Sequence, residues 1–181
     1  MAQTKKDPNS AVRLILVLFV ISAIVALLLG MTNYITEDII DAIKQEKTQK
    51  ALREVMPGGH EFKELSAEVS ADEVTGVYSA GNSGYVIQME VSGSQGAIDM
   101  VVGVDLSGAV TGVSIVDMAE TAGLGDKAAD ADWRAQFVGA SGSVAVNKDG
   151  GQIDALTGAT VTSRAVANGV NIALATVAEL G

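Results

Sequence analysis

Tyr-Val-Ile-Gln-Met-Glu-Val at residues 85–91, Ile-Asp-Met-Val-Val-Gly-Val at 98–104 and Val-Thr-Gly-Val-Ser-Ile-Val-Asp-Met at 110–118 are short runs rich in Val, Ile and Tyr, and the fold class follows from them. Such side chains fit a pleated, half-buried backbone, whereas the Gly and Ser clusters between the runs, Gly93 to Gly96 and Asp105 to Gly108, favour turns. Asp105-Leu106-Ser107-Gly108 makes a hairpin turn. A fourth run, Glu73 to Tyr78, precedes them across the Ala80 to Gly84 turn. Strands in this number, joined by tight turns, predict an antiparallel sheet.

Downstream the pattern changes. Asp130 to Phe137, with Trp133 and Phe137 four apart, predicts a short helix, and Ser143 to Val146 and Gln152 to Leu156 predict two extra strands. From Ser163 to Leu180, apolar Val166, Val170, Ile172, Leu174 and Val177 among many alanines predict a closing helix. Strands followed by helices give an α+β domain.

Upstream lies an apolar segment. Leu14 to Met31 is unbroken, with Ser22 its only polar side chain, and at 1.5 Å per residue it spans about 27 Å, against a hydrocarbon core of about 30 Å. It is longer than the apolar region of a secretory signal and runs through Leu27, Leu28 and Leu29 without a small-x-small cleavage site, so it reads as a retained membrane anchor. Lys5, Lys6 and Arg13 precede it against Asp7 alone, and Lys44 is the first basic residue beyond it, so the positive-inside rule places the N-terminus in the cytoplasm. Residues 32–181 carry 9 basic and 21 acidic side chains and belong outside the cytoplasm. Between anchor and domain, Ile35, Ile39, Ile40, Ile43, Leu52 and Val55 recur at helical spacing from Tyr34 to Met56, with Thr36 as its cap and Pro57, Gly58 and Gly59 as its stop. The charged stretch Thr48 to Arg53 reads as a solvated face, which makes this connecting helix a stalk.

Composition narrows the chemistry. The 181-residue chain has a net charge of −10 and no cysteine, so it builds no disulfide, thiolate metal site or iron–sulfur cluster. The single histidine, His60, sits in Met-Pro-Gly-Gly-His, a solvated turn, and no set of metal ligands at fixed spacing is found. An acidic surface disfavours nucleic acid and anionic bilayer faces. The chemistry must come from a cofactor or a partner.

One stretch points to it. Asp154-Ala155-Leu156-Thr157-Gly158-Ala159-Thr160-Val161-Thr162 repeats hydroxyls around a Gly-Ala pair at the start of the closing helix. Its plain structural role is a helix N-terminus, with Thr160, Thr162 or Ser163 as the cap and Gly158 in a conformation other residues avoid. Capping needs only one hydroxyl, and the pattern arises by chance in on the order of one chain in ten thousand of this length. Free amides and the helix dipole favour a phosphate here, and the small Gly158 and Ala159 let a bulky group or a modifying enzyme reach Thr160. No general base is evident beside Thr160, which favours modification by another protein.

Asp154 to Thr162 resembles throughout the motif at which a flavin transferase, using FAD as donor, attaches FMN to threonine in the FMN-binding domain family. That resemblance makes Thr160 the residue carrying a covalent phosphoester to FMN. A second stretch, Glu120-Thr121-Ala122-Gly123-Leu124-Gly125, is similar to the family's Glu-Thr-Pro-Gly-Leu-Gly loop against the flavin, with Ala122 in place of the proline. The resemblance implies hydrogen bonds to the flavin from Glu120 and Thr121 and apolar contact from Leu124. It also implies phosphate contact from Thr157, with Gly125, Gly158, Ala159 and Thr162 completing the site, while Asp154 serves transferase recognition.

Anchor, length and acidic domain together resemble the G subunits of Rnf electron-transport complexes, which implies electron flow between ferredoxin and NAD coupled to Na+ or H+ translocation. The C subunit of the sodium-pumping NADH:quinone reductase is the related alternative, and a free-standing flavoprotein reductase or a non-redox membrane protein are others. On the Rnf resemblance the partners are the other membrane subunits and, during maturation, the flavin transferase. The chain is then an electron-carrying subunit without catalytic residues of its own. The expected organisation is a cytoplasmic N-terminus at 1–13, a transmembrane helix at 14–31, a connecting helix at 32–59 and an extracytoplasmic FMN-binding domain at 60–181.

Overall fold

The computed structural model describes residues 8–59, 61–66 and 69–180. His60 and the basic pair Lys5 and Lys6 lie outside the described residues. The chain divides into two units, residues 1–43 and 44–181.

Among its described residues the first unit is helical, and its helix runs on into the second as one element, α1, Pro8–Val55. Within it Val12–Glu37, of mean hydropathy 3.1, is long and apolar enough to cross a membrane. Its large side chains, among them Leu14, Phe19, Ile24 and Leu28, are all exposed, which suits contact with lipid. The separate connecting helix anticipated from the sequence is the continuation of α1. Thr36 is therefore no cap: its hydroxyl donates back to the Thr32 carbonyl one turn earlier, inside the helix.

The second unit is built on a meander of five antiparallel strands in the order β1-β2-β3-β4-β5. These are β1 Lys63–Glu64, β2 Val74–Ser79, β3 Tyr85–Ser92, β4 Ala97–Val104 and β5 Val110–Met118. Four of them stand where the Val- and Ile-rich runs predict them, and the two-residue β1 is an addition. The β4–β5 turn forms as read, with Asp105 Oδ1 accepting from Ser107 N at 2.8 Å and Ala109 N at 3.0 Å.

Because strand side chains alternate between faces, the sheet carries two cores. On one face Ile87, Met89, Ile98, Met100 and Val102 pack against Val166, Val170 and Ala173 of α3, Thr160–Leu180. On the other, Val86, Val101 and Val116 meet Ala51, Leu52, Val55 and Met56 at the end of α1. The close approach there uses a glycine pair. Gly103 and Gly112 are directly opposite in the ladder, and a Cβ on either would stand 2.6 Å from the Val55 carbonyl oxygen or 2.9 Å from its Cα. Thr48, Ala51 and Leu52 are buried, so the charged stretch from Thr48 to Arg53 is no purely solvated face and the helix end is more than a stalk.

Two further sequence expectations are corrected. The segments 143–146 and 152–156 are not strands and share only a single parallel bridge, Val146 with Ile153. The reason lies in the backbone N–H groups of the motif, which bond to side chains instead of a neighbouring strand. Asp154 N donates to Gln136 Oε1, Ala155 N to Asn147 Oδ1 and Leu156 N to Ser163 Oγ. The short helix near Asp130 is α2, Ala131–Arg134, followed by a single 3₁₀ turn, Ala135–Phe137.

Candidate functional site at the start of the closing helix

The motif is an extended arm leading into a turn and then a helix. Trp133 Nε1 donates to the Asp154 carbonyl at 2.7 Å, and Asn147 Nδ2 donates to Asp154 Oδ1 at 2.9 Å, so the arm is pinned before it turns. Ala159 N then donates to the Leu156 carbonyl at 3.1 Å across Thr157 and Gly158. Gly158 has φ +80°, the left-handed region that favours glycine, and a Cβ on it would stand 3.0 Å from Leu124 Cδ2.

The helix begins at Thr160, three residues before the predicted start, and none of the motif hydroxyls occupies the residue before it, which is Ala159. Ser163 holds the helix start from inside the first turn: its Oγ donates to the Ala159 carbonyl at 2.9 Å and accepts from Leu156 N at 3.0 Å. The hydroxyls thereby separate into two kinds. Thr162 and Ser163 are fully buried and committed to internal hydrogen bonds. Thr157 is exposed and Thr160 half-buried, so these two hydroxyls are accessible from outside the domain.

Thr160 Oγ1 is 3.3 Å from Lys148 Nζ, and no carboxylate hydrogen-bonds it among the described residues. Its neighbour is a cation, not a base. The backbone N–H groups of Thr160, Val161 and Thr162 have no acceptor among the described residues, as the first turn of a helix leaves them. One turn on, Arg164 Nε and Nη2 donate to the two oxygens of Asp149, each at 2.6 Å. Those hydrogen bonds hold the Asp149 carboxyl below the usual carboxylate range.

The Glu120-to-Gly125 loop meets the same helix. Glu120 Oε1 accepts from Ser94 N at 2.6 Å and Gln95 N at 3.3 Å, and its Oε2 accepts from Thr162 Oγ1 at 3.0 Å. The Glu120 carboxylate thus ties the β3–β4 hairpin to α3. Thr121 closes the loop by its carbonyl, which accepts from Leu124 N at 3.1 Å and Gly125 N at 3.0 Å. Gly125 is buried, and a Cβ there would lie 2.6 Å from Glu120 Oε2. Leu124 remains 42% exposed, with its Cδ2 over Gly158. Ala159 is buried beneath the turn. The structure therefore brings Glu120, Leu124, Gly125, Gly158 and Thr162 together around the start of α3. Thr157 stands exposed on the turn itself, and its side chain makes no hydrogen bond among the described residues.

The turn Asn147–Asp149 is the part of the site that sequence reasoning missed. In the chain it is only a polar, glycine-flanked stretch, and its contacts with the motif arise from folding alone.

Residues 93–175 match the FMN-binding domain family. The chain is 33% identical over 182 residues to the G subunit of the Na(+)-translocating ferredoxin:NAD(+) oxidoreductase complex of Acetobacterium woodii, covering 88% of this chain and 87% of that protein. It is 31% identical over 179 residues to the G subunit of the ion-translocating oxidoreductase complex of Methanosarcina acetivorans, covering 93% and 95%. The chain belongs to this G subunit family. The corresponding protein of Vibrio vulnificus is 33% identical over 164 residues, 79% of this chain and 78% of its own.

A G subunit of this kind carries an FMN-binding domain and is membrane-associated, consistent with the one apolar span found among the described residues. The family match begins at Gly93, in the hairpin that Glu120 holds, and ends within α3, so it takes in both the Glu120 loop and Thr160. The residues fit the phosphate end of FMN: a reachable hydroxyl, a cation beside it and unpaired amides at the positive end of a helix.

Proposed function

We propose that the chain carries FMN as a phosphoester on Thr160 and relays electrons through it within an ion-translocating oxidoreductase complex. The proposal is carried by one observation: of the four hydroxyls from Thr157 to Ser163, Thr160 alone is both reachable and set beside a cation at the helix start. In the attachment, the Thr160 oxygen forms a bond to the flavin-side phosphorus of FAD and the bond to the AMP phosphate breaks. AMP leaves, and the hydroxyl proton passes to a base on the transferase.

Bound FMN would supply one- and two-electron transfer. The chain's own residues bind and orient it. Lys148 and the first amides of α3 hold the phosphate, Thr157 lies next to it, and Leu124 offers apolar surface. Glu120 keeps the loop in place through Thr162, with Thr121 closing it. Tethering retains the cofactor outside the cytoplasm, the side to which the positive-inside rule assigns the domain. The oxidoreductase named for the Acetobacterium relative supports electron flow between ferredoxin and NAD, and the other subunits of such a complex are the partners.

Co-expression of the chain with a flavin transferase, followed by denaturing electrophoresis, tests the attachment. Ultraviolet fluorescence is expected in the wild-type band and absent from Thr160→Ala; a fluorescent mutant band overturns the assignment. In the same cells a Lys127→Cys chain, otherwise free of cysteine, reports orientation: a membrane-impermeant maleimide labels it in intact cells if the domain lies outside the cytoplasm, and only after lysis if it does not.

A further inference from the structure

The Asn147–Asp149 turn grips the attachment segment with three consecutive side chains. Asn147 Nδ2 donates to Asp154 Oδ1 at 2.9 Å and its Oδ1 accepts from Ala155 N at 3.4 Å, holding the arm before the turn. Asp149 accepts both hydrogen bonds from Arg164, one helical turn past Thr160. Lys148 stands between these two clasps, and its ammonium reaches Thr160 Oγ1 at 3.3 Å. A three-residue 3₁₀ turn has little conformational choice once both neighbours are fixed. The long lysine stem is therefore rooted on a held backbone next to the one hydroxyl that matters.

Stability does not account for this placement. Lys148 is exposed, its contact with a neutral hydroxyl at 3.3 Å is weak, and it forms no ion pair among the described residues although Asp149 is its chain neighbour. Asp149 is engaged by Arg164, which leaves the Lys148 charge uncompensated. An uncompensated cation beside three unpaired amides suits an anion attached to Thr160, and a phosphodiester retains a single negative charge at neutral pH.

Resting on the assignment of Thr160, we propose that Lys148 is the positioning residue for flavin attachment. It attracts the flavin-side phosphate of the incoming FAD to Thr160 and then serves as counter-ion of the finished diester. Asn147 and Asp149 act through it by fixing the turn. Lys148 takes no proton from Thr160, because an ammonium has none of the acceptor capacity that step needs.

The test compares full-length chains expressed without a flavin transferase, then flavinylated in membranes over time by added transferase with FAD as donor. In-gel flavin fluorescence per chain gives the rate. Lys148→Ala is expected to slow attachment about threefold to tenfold, the range for losing one partly solvated charged hydrogen bond. Lys148→Glu is expected to slow it further and Lys148→Arg to restore most of it. A role limited to local packing would not reproduce that order of charge. The wild-type rate is also expected to fall with added salt more steeply than that of Lys148→Ala, since only the former has this charge to screen. Unfolding of the unmodified chain, followed by Trp133 fluorescence, is expected to be the same for Lys148→Ala and wild type. Wild-type rates and salt dependence in both Lys148→Ala and Lys148→Glu overturn the role of Lys148 while leaving Thr160 intact. A wild-type chain that takes no flavin, or a Thr160→Ala chain that does, overturns the underlying assignment instead.

Discussion

At the scale of single residues, a motif of similar hydroxyls is resolved by what each one touches. Thr162 is fully buried and donates to Glu120 Oε2 at 3.0 Å, linking the Glu120 loop to the first turn of α3. Removing it leaves a carboxylate oxygen without its donor, at a cost of about 1–3 kcal/mol. Thr162→Val is therefore expected to destabilise the full-length chain by roughly that amount, measured by denaturant unfolding in detergent with Trp133 as reporter. A Thr162→Val chain as stable as wild type would show that Ser94 N and Gln95 N hold the Glu120 carboxylate without Thr162. The motif itself was legible in the sequence, and so was the candidacy of Thr160. What could not be read was the division of labour, because Thr162 and Thr160 differ by only two positions and their surroundings are set by residues 42 and 12 positions away.

Among the elements, α1 serves two environments. Its first part presents Val, Leu, Ile and Phe outward along the span, while its last turns bury Ala51, Leu52 and Val55 against the sheet face carrying Val86, Val101 and Val116. The periodic apolar residues of this segment were visible in the sequence, yet its surface of Lys, Glu and Arg argued for solvent. Only the glycine pair Gly103 and Gly112, opposite each other in the ladder, makes room for a helix there. Polar clasps complete the seam. Lys44 Nζ lies 2.5 Å from Asp99 Oδ2, and Arg134 Nη1 lies 3.0 Å from Glu54 Oε1, whose other oxygen accepts from Ser114. Leu52, with no exposed surface, is the centre of the seam. Leu52→Ala is expected to cost about 2–5 kcal/mol in the same unfolding measurement, whereas a merely stalk-like helix would tolerate it with little change.

For the domain as a whole, three segments distant in sequence converge on the start of α3: the 93–96 hairpin through Glu120, the 120–125 loop through Thr162 and the 147–149 turn through Thr160 and Arg164. The electrostatics of that meeting point follow pH with a definite sign. Arg164 lowers the pKa of Asp149, so the clasp is present above the ordinary aspartate value of about 3.9 and is lost as pH falls through the lowered folded value. In nuclear magnetic resonance the Asp149 carboxyl carbon is expected to titrate with a midpoint below that ordinary value, and the Arg164 Nε–H chemical shift to move with it. In Asp149→Asn the Arg164 Nε–H is expected to show at neutral pH the chemical shift that wild type reaches only in acid. An Arg164 signal indifferent to both changes would mean the clasp does not persist in solution.

Local composition and spacing were enough to specify the apolar span, four of the five strands, the closing helix and the hydroxyl motif. Each is written in a short window: an unbroken apolar run, β-branched clusters between turn residues, and a pattern of nine consecutive positions. Folding in three dimensions settled the rest. It made the end of α1 part of the core, kept the segments flanking the 147–149 turn from pairing as strands, and set Lys148 and Glu120 beside the first turn of α3. Those outcomes depend on which distant side chains supply hydrogen bonds and which faces the glycines leave open. No local window of sequence contains that information.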